Sequence, residues 1–143
     1  MENRSGMPVA ATATAATTQG EWKAAVEMVA AIQRGGRRLT VGGDAGYDNA
    51  DLIAQLRQMN VTPHFAQHRE RASYIDGRTT QHSGYTISLQ KRKAIEPIFG
   101  WLKTTGLLRK LRHRGRPLVQ WMFTLALSAY NLLRLRTLTV QAA

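Results

Sequence analysis

Residues 37–67 read RRLTVGGDAGYDNADLIAQLRQMNVTPHFAQ, and this stretch decides the fold because it contains a complete strand–helix–strand unit. A short apolar strand is predicted over Leu39–Gly43 and a second over 61–66, where Pro63 indicates an edge strand or an irregular one. The helix between them is predicted by apolar residues at helical spacing, which are Leu52, Ile53, Leu56 and Met59. Two strands joined by one helix are expected to pair in parallel through a right-handed crossover.

Asp44 directly follows the first predicted strand, and its position allows two interpretations. Ligands in open α/β sheets bind beyond the carboxyl ends of the strands, so the position suits a catalytic or metal-binding carboxylate. Alternatively, Asp44 only caps the turn before Asp48. Either Asp48 or Asn49 is predicted to cap the helix that comes after this turn.

A second acid of interest, Glu96, lies in RKAIEPIFGWLK, residues 92–103. At about 100° per residue, a single helix would place Arg92, Glu96 and Lys103 on one face. That face is either a solvated surface, with an ion pair between Arg92 and Glu96, or part of an active site. Pro97 is expected to kink the helix or delay its start, because proline lacks an N–H group and restricts the residue before it.

Three further segments are predicted before and between these acids. Residues 8–18, PVAATATAATT, are expected to form a strand or an ordered tail. A helix follows in EWKAAVEMVAAIQRGG, with a capping box formed by Thr18 and Glu21 and a stop at Gly35 and Gly36. Residues 67–86 show no hydrophobic periodicity, so a loop is predicted there.

An apolar helix is predicted over residues 118–133, and its length raises the possibility of a membrane span. Polar side chains recur along it with helical spacing, at Gln120, Thr124, Ser128 and Asn131. This polar stripe favours an amphipathic helix that is buried over most of its surface, with no membrane contact. Trp101 and Trp121 are expected to be core or interface anchors.

The charge of the chain is concentrated in its second half. The 143 residues carry a net charge of +11 and no cysteine, and cysteine usage of this kind is compatible with a reducing cytosol. Residues 1–66 hold six Lys/Arg and six Asp/Glu, whereas residues 67–143 hold fourteen and three. A field of this kind attracts polyanions, of which nucleic acid is the commonest, although a basic surface kept only for solubility is the alternative.

Four segments together resemble the C-terminal part of DDE-type insertion-sequence transposases: GGDAGYD, HRERASYIDGRTTQHSGYTIS, RKAIEPIFGWLK and WMFTLALSAYNLLRL. The resemblance covers nearly the whole chain, 1–143, and is closest over 38–136 and weaker over 1–37. It implies an α/β, RNase H-like fold with a helical C-terminal end. It also implies three carboxylates that bind two divalent metal ions, Mg²⁺ or Mn²⁺, for cleavage and strand transfer of DNA.

The resemblance assigns residues of this chain position by position. Asp44 corresponds to the second catalytic Asp and Glu96 to the catalytic Glu, and both are expected to bind metal at one shared site. Arg92 and Lys103 match basic positions of the signature around the Glu, where Leu89 replaces the usual Tyr and Tyr85 is out of register. Phosphate contacts are expected from Arg92, Lys103 and a basic run made of Arg109, Lys110, Arg112, Arg114 and Arg116.

The first catalytic Asp and the first two strands of an RNase H-like sheet find no counterpart in this sequence, so we expect a truncated transposase. Such a chain is expected to bind DNA, both transposon ends and target, in the bacterial cytoplasm at the nucleoid, without membrane contact. It should produce no nicking with Mn²⁺ above a Glu96→Ala control, and a homo-oligomer of the complete protein is compatible with the resemblance. The alternatives are a non-catalytic basic DNA-binding module and a translated remnant of a decayed element.

Overall fold

The chain forms two compact units in a computed structural model that describes residues 1–33 and 35–142. The α/β unit comprises Ala16–Lys93, and the helical unit comprises Met1–Ala15 with Ala94–Ala143. Arg34, in the segment predicted to form the first helix, and the last residue, Ala143, lie outside the described residues.

Over residues 16–33 and 35–93, the α/β unit contains two short strands and four helices. In chain order these are α1 (Thr18–Ile32), β1 (Leu39–Gly43), α2 (Ala50–Gln58), β2 (Val61–Phe65), α3 (Gly77–Gln81) and α4 (Ser83–Arg92), with a 3₁₀ turn over Ala45–Tyr47. β1 pairs in parallel with β2, and Leu39 lies opposite Val61 while Gly43 lies opposite Phe65. The predicted strand–helix–strand unit and its parallel pairing are therefore confirmed.

Side-chain caps determine where the helices begin. Helix α1 is capped by Thr17, whose Oγ1 accepts a hydrogen bond from the N–H of Gly20 at 3.1 Å, so the predicted cap at Thr18 was one residue late. Helix α2 is capped by Asn49, the second of the two predicted candidates, whose Oδ1 accepts hydrogen bonds from the first turn of the helix. Each cap satisfies donors that have no partner inside the helix.

The core of the α/β unit is apolar and lies between the strands and their helices. Its buried residues are Leu52, Ile53, Leu56, Val61, Phe65, Ile75 and Tyr85, and α1 packs Trp22, Val26 and Val29 against them. Ile75 and Tyr85 come from the segment 67–86, which was wrongly predicted to be loop throughout. Within this segment Asp76 caps α3 and His82 caps α4. These two helices begin at capping side chains, although the segment has no long hydrophobic repeat that would predict them.

The helical unit is built on α5 (Glu96–Thr104) and α6 (Arg116–Ala142). Its buried core residues are Ile98, Leu102, Ala126 and Leu127. Trp101 packs against this core, with its ring 5.5 Å from that of Tyr130, so the predicted role of Trp101 as a core anchor is confirmed.

The helix predicted to carry Arg92, Glu96 and Lys103 on one face is not continuous. Helix α4 ends at Arg92, a 3₁₀ turn follows over Lys93–Ile95, and α5 begins at Glu96 with proline in its first turn. The break arises because Pro97 supplies no N–H for a preceding turn, whereas proline is well tolerated at the start of a helix. Only Glu96 and Lys103 therefore lie on the same α-helix. The prediction that Arg92 belongs to this helix was wrong, whereas the predicted late start of the helix at Pro97 is confirmed.

The polar stripe of α6 holds the first residues of the chain. Gln120 accepts a hydrogen bond from the N–H of Ala13 at 2.6 Å and donates to the carbonyl of Ala11 at 3.3 Å. Further along α6, Asn131 donates to the carbonyl of Pro8 at 2.9 Å. Of the two predicted alternatives, a strand or an ordered tail, the ordered tail is confirmed. The described backbone over 6–15 contains no strand and is held along α6 by these hydrogen bonds.

Helix α6 extends well past the predicted limits of 118–133, and much of its apolar surface is exposed. Trp121 is 59% exposed and Leu132 69% exposed, and Leu118 and Leu125 are also exposed. The prediction of a helix buried over most of its surface was therefore wrong for the described residues, and Trp121 is not a core anchor there, while its predicted role as an interface anchor stays a prediction. Hydrophobic spacing identifies an apolar face but does not identify its partner. None of the described helices is long and apolar enough to cross a membrane.

Replacing Gln120 with Ala is expected to release the first residues from α6. The change removes both hydrogen bonds to the backbone at Ala11 and Ala13, each worth about 1 kcal/mol. Hydrogen exchange at the amide of Ala13 should become roughly 5- to 30-fold faster. A Thr137→Ala variant is the matched control, since the Thr137 hydroxyl bonds only to the Leu133 carbonyl of the same helix. Equal protection in both variants would show that the polar stripe does not hold this segment.

Candidate functional site

Asp44 lies at the carboxyl edge of the two parallel strands, directly after β1. Its Oδ1 accepts a hydrogen bond from the N–H of Gly46 at 2.9 Å, so it caps the 3₁₀ turn, as one of the two interpretations predicted. The residue is exposed, and its Oδ2 has no hydrogen-bond partner in the described parts of the chain. The capping role therefore leaves one carboxylate oxygen available to a ligand.

Close packing of the sheet sets the position of Asp44. A Cβ atom at the preceding Gly43 would lie 2.7 Å from Cδ1 of Phe65, and the Phe65 ring is buried. Only glycine fits at that point, and it brings the end of β1 directly against the end of β2. Tyr85 supports the same edge from α4, because its hydroxyl donates to the carbonyl of Phe65 at 2.7 Å. Tyr85 is thus a buried support of β2, and its pKa is raised, mainly by burial.

The turn after Asp44 is held from two sides. Trp22 of α1 donates from its indole N–H to the carbonyl of Gly46 at 3.3 Å. Tyr47 is half-buried, and its pKa is raised by burial first and then by the nearby carboxylates of Glu21 and Asp44. The region around Asp44 is therefore negatively charged, which favours the binding of a cation.

Asp48 is a buried acid whose structural importance the sequence reasoning missed, and its Oδ2 has no hydrogen-bond partner in the described part of the chain. Its side chain is 0% exposed, and its Oδ1 accepts a hydrogen bond from the N–H of Tyr74 at 2.9 Å. Its backbone carbonyl accepts from Nη2 of Arg71 at 2.6 Å, and the Arg71 guanidinium lies 5.4 Å from the centre of the Tyr74 ring. Asp48 thus ties the turn after Asp44 to the loop before α3. The feature of the sequence that could have drawn attention to Asp48 is its position four residues after Asp44.

His64 lies on β2 opposite Gly42 and is buried. Its Nδ1 is 2.8 Å from the hydroxyl of Ser88, and its ring packs edge-on against Tyr85. Burial is the main reason that its pKa lies below the usual 6.5, followed by the neighbouring His82. The imidazole is therefore neutral at pH 7 and adds no positive charge at this edge of the sheet.

Glu96 is the first residue of α5 and is exposed. Its carboxylate accepts no hydrogen bond and forms no ion pair within the described part of the helical unit. A carboxylate in the first turn interacts favourably with the helix dipole, which accounts for its local stability without any ligand. Both of its oxygens are open to metal or solvent.

The predicted phosphate-binding residues lie on different elements. Lys103 is exposed in the last turn of α5, about 10 Å along the helix axis from Glu96. Arg92 ends α4 in the α/β unit, and its Nε is buried without a hydrogen-bond partner. All residues from 109 to 116 are exposed, in the connection between α5 and α6 and at the first residue of α6; the basic ones are Arg109, Lys110, Arg112, Arg114 and Arg116.

The donor chemistry of the two acids fits a hard divalent cation, because carboxylate oxygens are the ligands that Mg²⁺ and Mn²⁺ prefer. Among the residues that the structure describes, no group of three or more His, Cys, Asp or Glu is placed to hold a metal ion. Asp44 belongs to the α/β unit and Glu96 to the helical unit, so their convergence on shared metal ions stays a prediction.

Replacing Asp48 with Ala is expected to lower the free energy of unfolding by about 1–3 kcal/mol, because the N–H of Tyr74 loses its acceptor in a buried setting. Urea unfolding followed by circular dichroism measures the change. Asp51→Ala is the matched control, since Asp51 is exposed in the first turn of α2. A loss no greater than that of the control would show that Asp48 does not anchor the loop.

Comparison with known proteins places these residues in a family. The model of the transposase DDE domain matches residues 1–132, a range that includes both Asp44 and Glu96. No curated protein matches the chain, and no solved structure matches it. A match over most of the sequence shows the family, and the chain therefore belongs to the transposase DDE domain family.

Proposed function

We propose that Asp44 and Glu96 are metal-binding carboxylates of a transposase active site that, when complete, cleaves phosphodiester bonds and joins DNA strands. The observation that carries the proposal is the family match, which spans both residues. The local structure supports it, because each acid is exposed and retains at least one oxygen without a hydrogen-bond partner in its own unit. The proposal includes an RNase H-like sheet in which β1 and β2 are neighbouring strands.

The chemistry explains why acids are needed in so basic a protein. Divalent ions, when bound, stabilise the negative charge that develops on the attacking and leaving oxygens of the scissile phosphate. Asp44 is suited to hold such an ion because Gly46 fixes its Oδ1, which limits the rotation of the carboxylate. Glu96 contributes oxygens from a helix end, and Mg²⁺ is the ion that the resemblance implies.

DNA is the substrate that the family implies, and the charge of the chain supports it. The exposed run from 109 to 116 carries Arg109, Lys110, Arg112, Arg114 and Arg116 and no acid. Arg and Lys side chains of this kind contact phosphates and fix the position of the duplex without reading its sequence. Lys103 and Arg92 are proposed to bind phosphates nearer to the reacting group.

A second candidate function, a non-catalytic DNA-binding module, is favoured by the same exposed basic run. The two functions differ in their need for metal. A DNA-binding module requires the cations of the run but no ligand at Asp44 or Glu96, whereas a transposase active site requires both. Metal binding therefore separates them.

Mn²⁺ binding, measured by electron paramagnetic resonance, tests the carboxylates. Asp44→Asn and Glu96→Gln are each expected to lower the Mn²⁺ affinity about tenfold or more, because each removes a charged ligand. Asp51→Asn and Glu27→Gln are the matched controls, since both residues are exposed acids outside the proposed site. Equal affinity in all five proteins would contradict the active-site proposal and favour the DNA-binding module.

Replacing Arg112, Arg114 and Arg116 together with Ala tests the DNA interface. Binding should weaken for every duplex sequence alike, and the slope of log affinity against log salt should flatten by about three units or fewer. Fluorescence anisotropy at several salt concentrations gives both quantities. A loss confined to one duplex sequence would indicate that these side chains read bases.

A further inference from the structure

A basic cleft of about 390 Å³ lies in the α/β unit, away from Asp44. Arg38, which directly precedes β1, and Thr62, near the start of β2, line it together with Arg57 and Arg78. Because the strands are parallel, these positions mark the amino edge of the sheet, whereas Asp44 follows the carboxyl edge. The cleft is therefore separate from the proposed metal site.

The positive charge of the cleft exceeds its negative charge. Asp76 is its one acid, and it is already occupied, since its Oδ1 accepts a hydrogen bond from the N–H of Thr79 at 2.7 Å and its Oδ2 pairs with Arg57. The hydrogen bond from Thr79 is also the main reason that the pKa of Asp76 is lowered. The carboxylate offsets the charge of Arg57, and the charges of Arg38 and Arg78 remain.

The guanidinium groups of Arg38 and Arg78 both have N–H donors without a hydrogen-bond partner in the described part of the chain. Arg38 donates from Nε to the hydroxyl of Thr62 at 3.1 Å, which orients the group and leaves its terminal nitrogens unpaired in the described part of the chain. Arg78 has no hydrogen-bond or ion-pair partner among residues 1–33 and 35–142. Two guanidinium groups with unpaired donors at one cleft are suited to an anion with several oxygens.

The wall that carries Arg38 is fixed by Asn60. This residue has a positive φ of 58°, a conformation that asparagine tolerates better than most residues. Its side chain donates to the carbonyl of Gly36 at 2.9 Å, and its own carbonyl accepts from the N–H of Leu39 at 3.3 Å. The segment before β1 is thus bound to the turn before β2, and Arg38 needs little reorganisation to bind a ligand.

We propose that this cleft binds phosphate groups through Arg38 and Arg78, and that the phosphates are those of a DNA backbone. The inference rests on the proposed DNA function and extends it, because it adds a second phosphate contact at the sheet edge opposite Asp44. Free inorganic phosphate presents the same oxygens to the same donors. The two sources are separated by experiment.

The first measurement follows duplex DNA binding by anisotropy as salt is varied, using the full chain. Arg38→Gln and Arg78→Gln should each weaken binding about tenfold at low salt, and should lower the salt slope by about one unit. Arg69→Gln is the matched control, since it removes the same charge from an exposed residue of the same unit that does not line the cleft. Equal effects of all three changes would overturn DNA as the ligand.

The second measurement titrates inorganic phosphate into the ¹⁵N-labelled chain and follows backbone amides by NMR. Shifts at Thr62, Arg78 and Thr79 that disappear in Arg78→Gln are expected. No shift at these amides would overturn the phosphate site itself. If phosphate shifts these amides but the chain binds no duplex DNA, the proposed DNA function and the DNA contact at the cleft are both overturned. The cleft would then still be a site for inorganic phosphate. The side chain of Arg78 has no hydrogen-bond or ion-pair partner in the described part of the chain, so Arg78→Gln should fold normally.

Discussion

The parallel pairing of two five-residue strands is the constraint on which the α/β unit depends. The register places Gly43 against Phe65, where any larger residue would collide with a buried ring. One strand end thereby fixes Asp44 at the carboxyl edge of the sheet. The other end fixes Arg38 at the amino edge, so a single short strand holds an acid and a base at opposite sides of the unit.

Five of the nine acids of this basic chain differ in how their carboxylates are used. The carboxylates of Glu2, Asp48 and Asp76 accept hydrogen bonds from backbone N–H groups. These bonds fix the orientation of each side chain and stabilise the local turns. Glu96 has no such bonds in its unit, and Asp44 uses only one oxygen in this way. Asp44 and Glu96, which the family resemblance assigns to metal, thus retain exposed oxygens, whereas the unpaired Oδ2 of Asp48 is buried. Asp44 combines a capping role with the proposed catalytic one, because its two oxygens are used differently.

Local sequence patterns predicted the strand–helix–strand unit well, because β1, α2 and β2 depend on short apolar repeats and on caps. The same reasoning failed where the structure depends on a contact between segments that are distant in the sequence. Gln120 and Asn131 form a polar stripe that was predicted correctly but without a partner, and they bind an extended segment more than a hundred residues away in the sequence. Asp44 and Glu96 were assigned by resemblance alone, and no local pattern predicts whether acids of separate units meet.

The order in which the units can fold during synthesis depends on the contacts of the first residues. Arg134 donates to the carbonyl of Ser5 across 129 positions of the chain. The α/β unit makes its own contacts within residues 16–93 and can become compact while the ribosome is still translating α5 and α6. Residues 5–13 instead lack their partners on α6 until α6 has emerged. Slow translation of α6 would therefore lengthen the time for which this segment is accessible to proteases and chaperones.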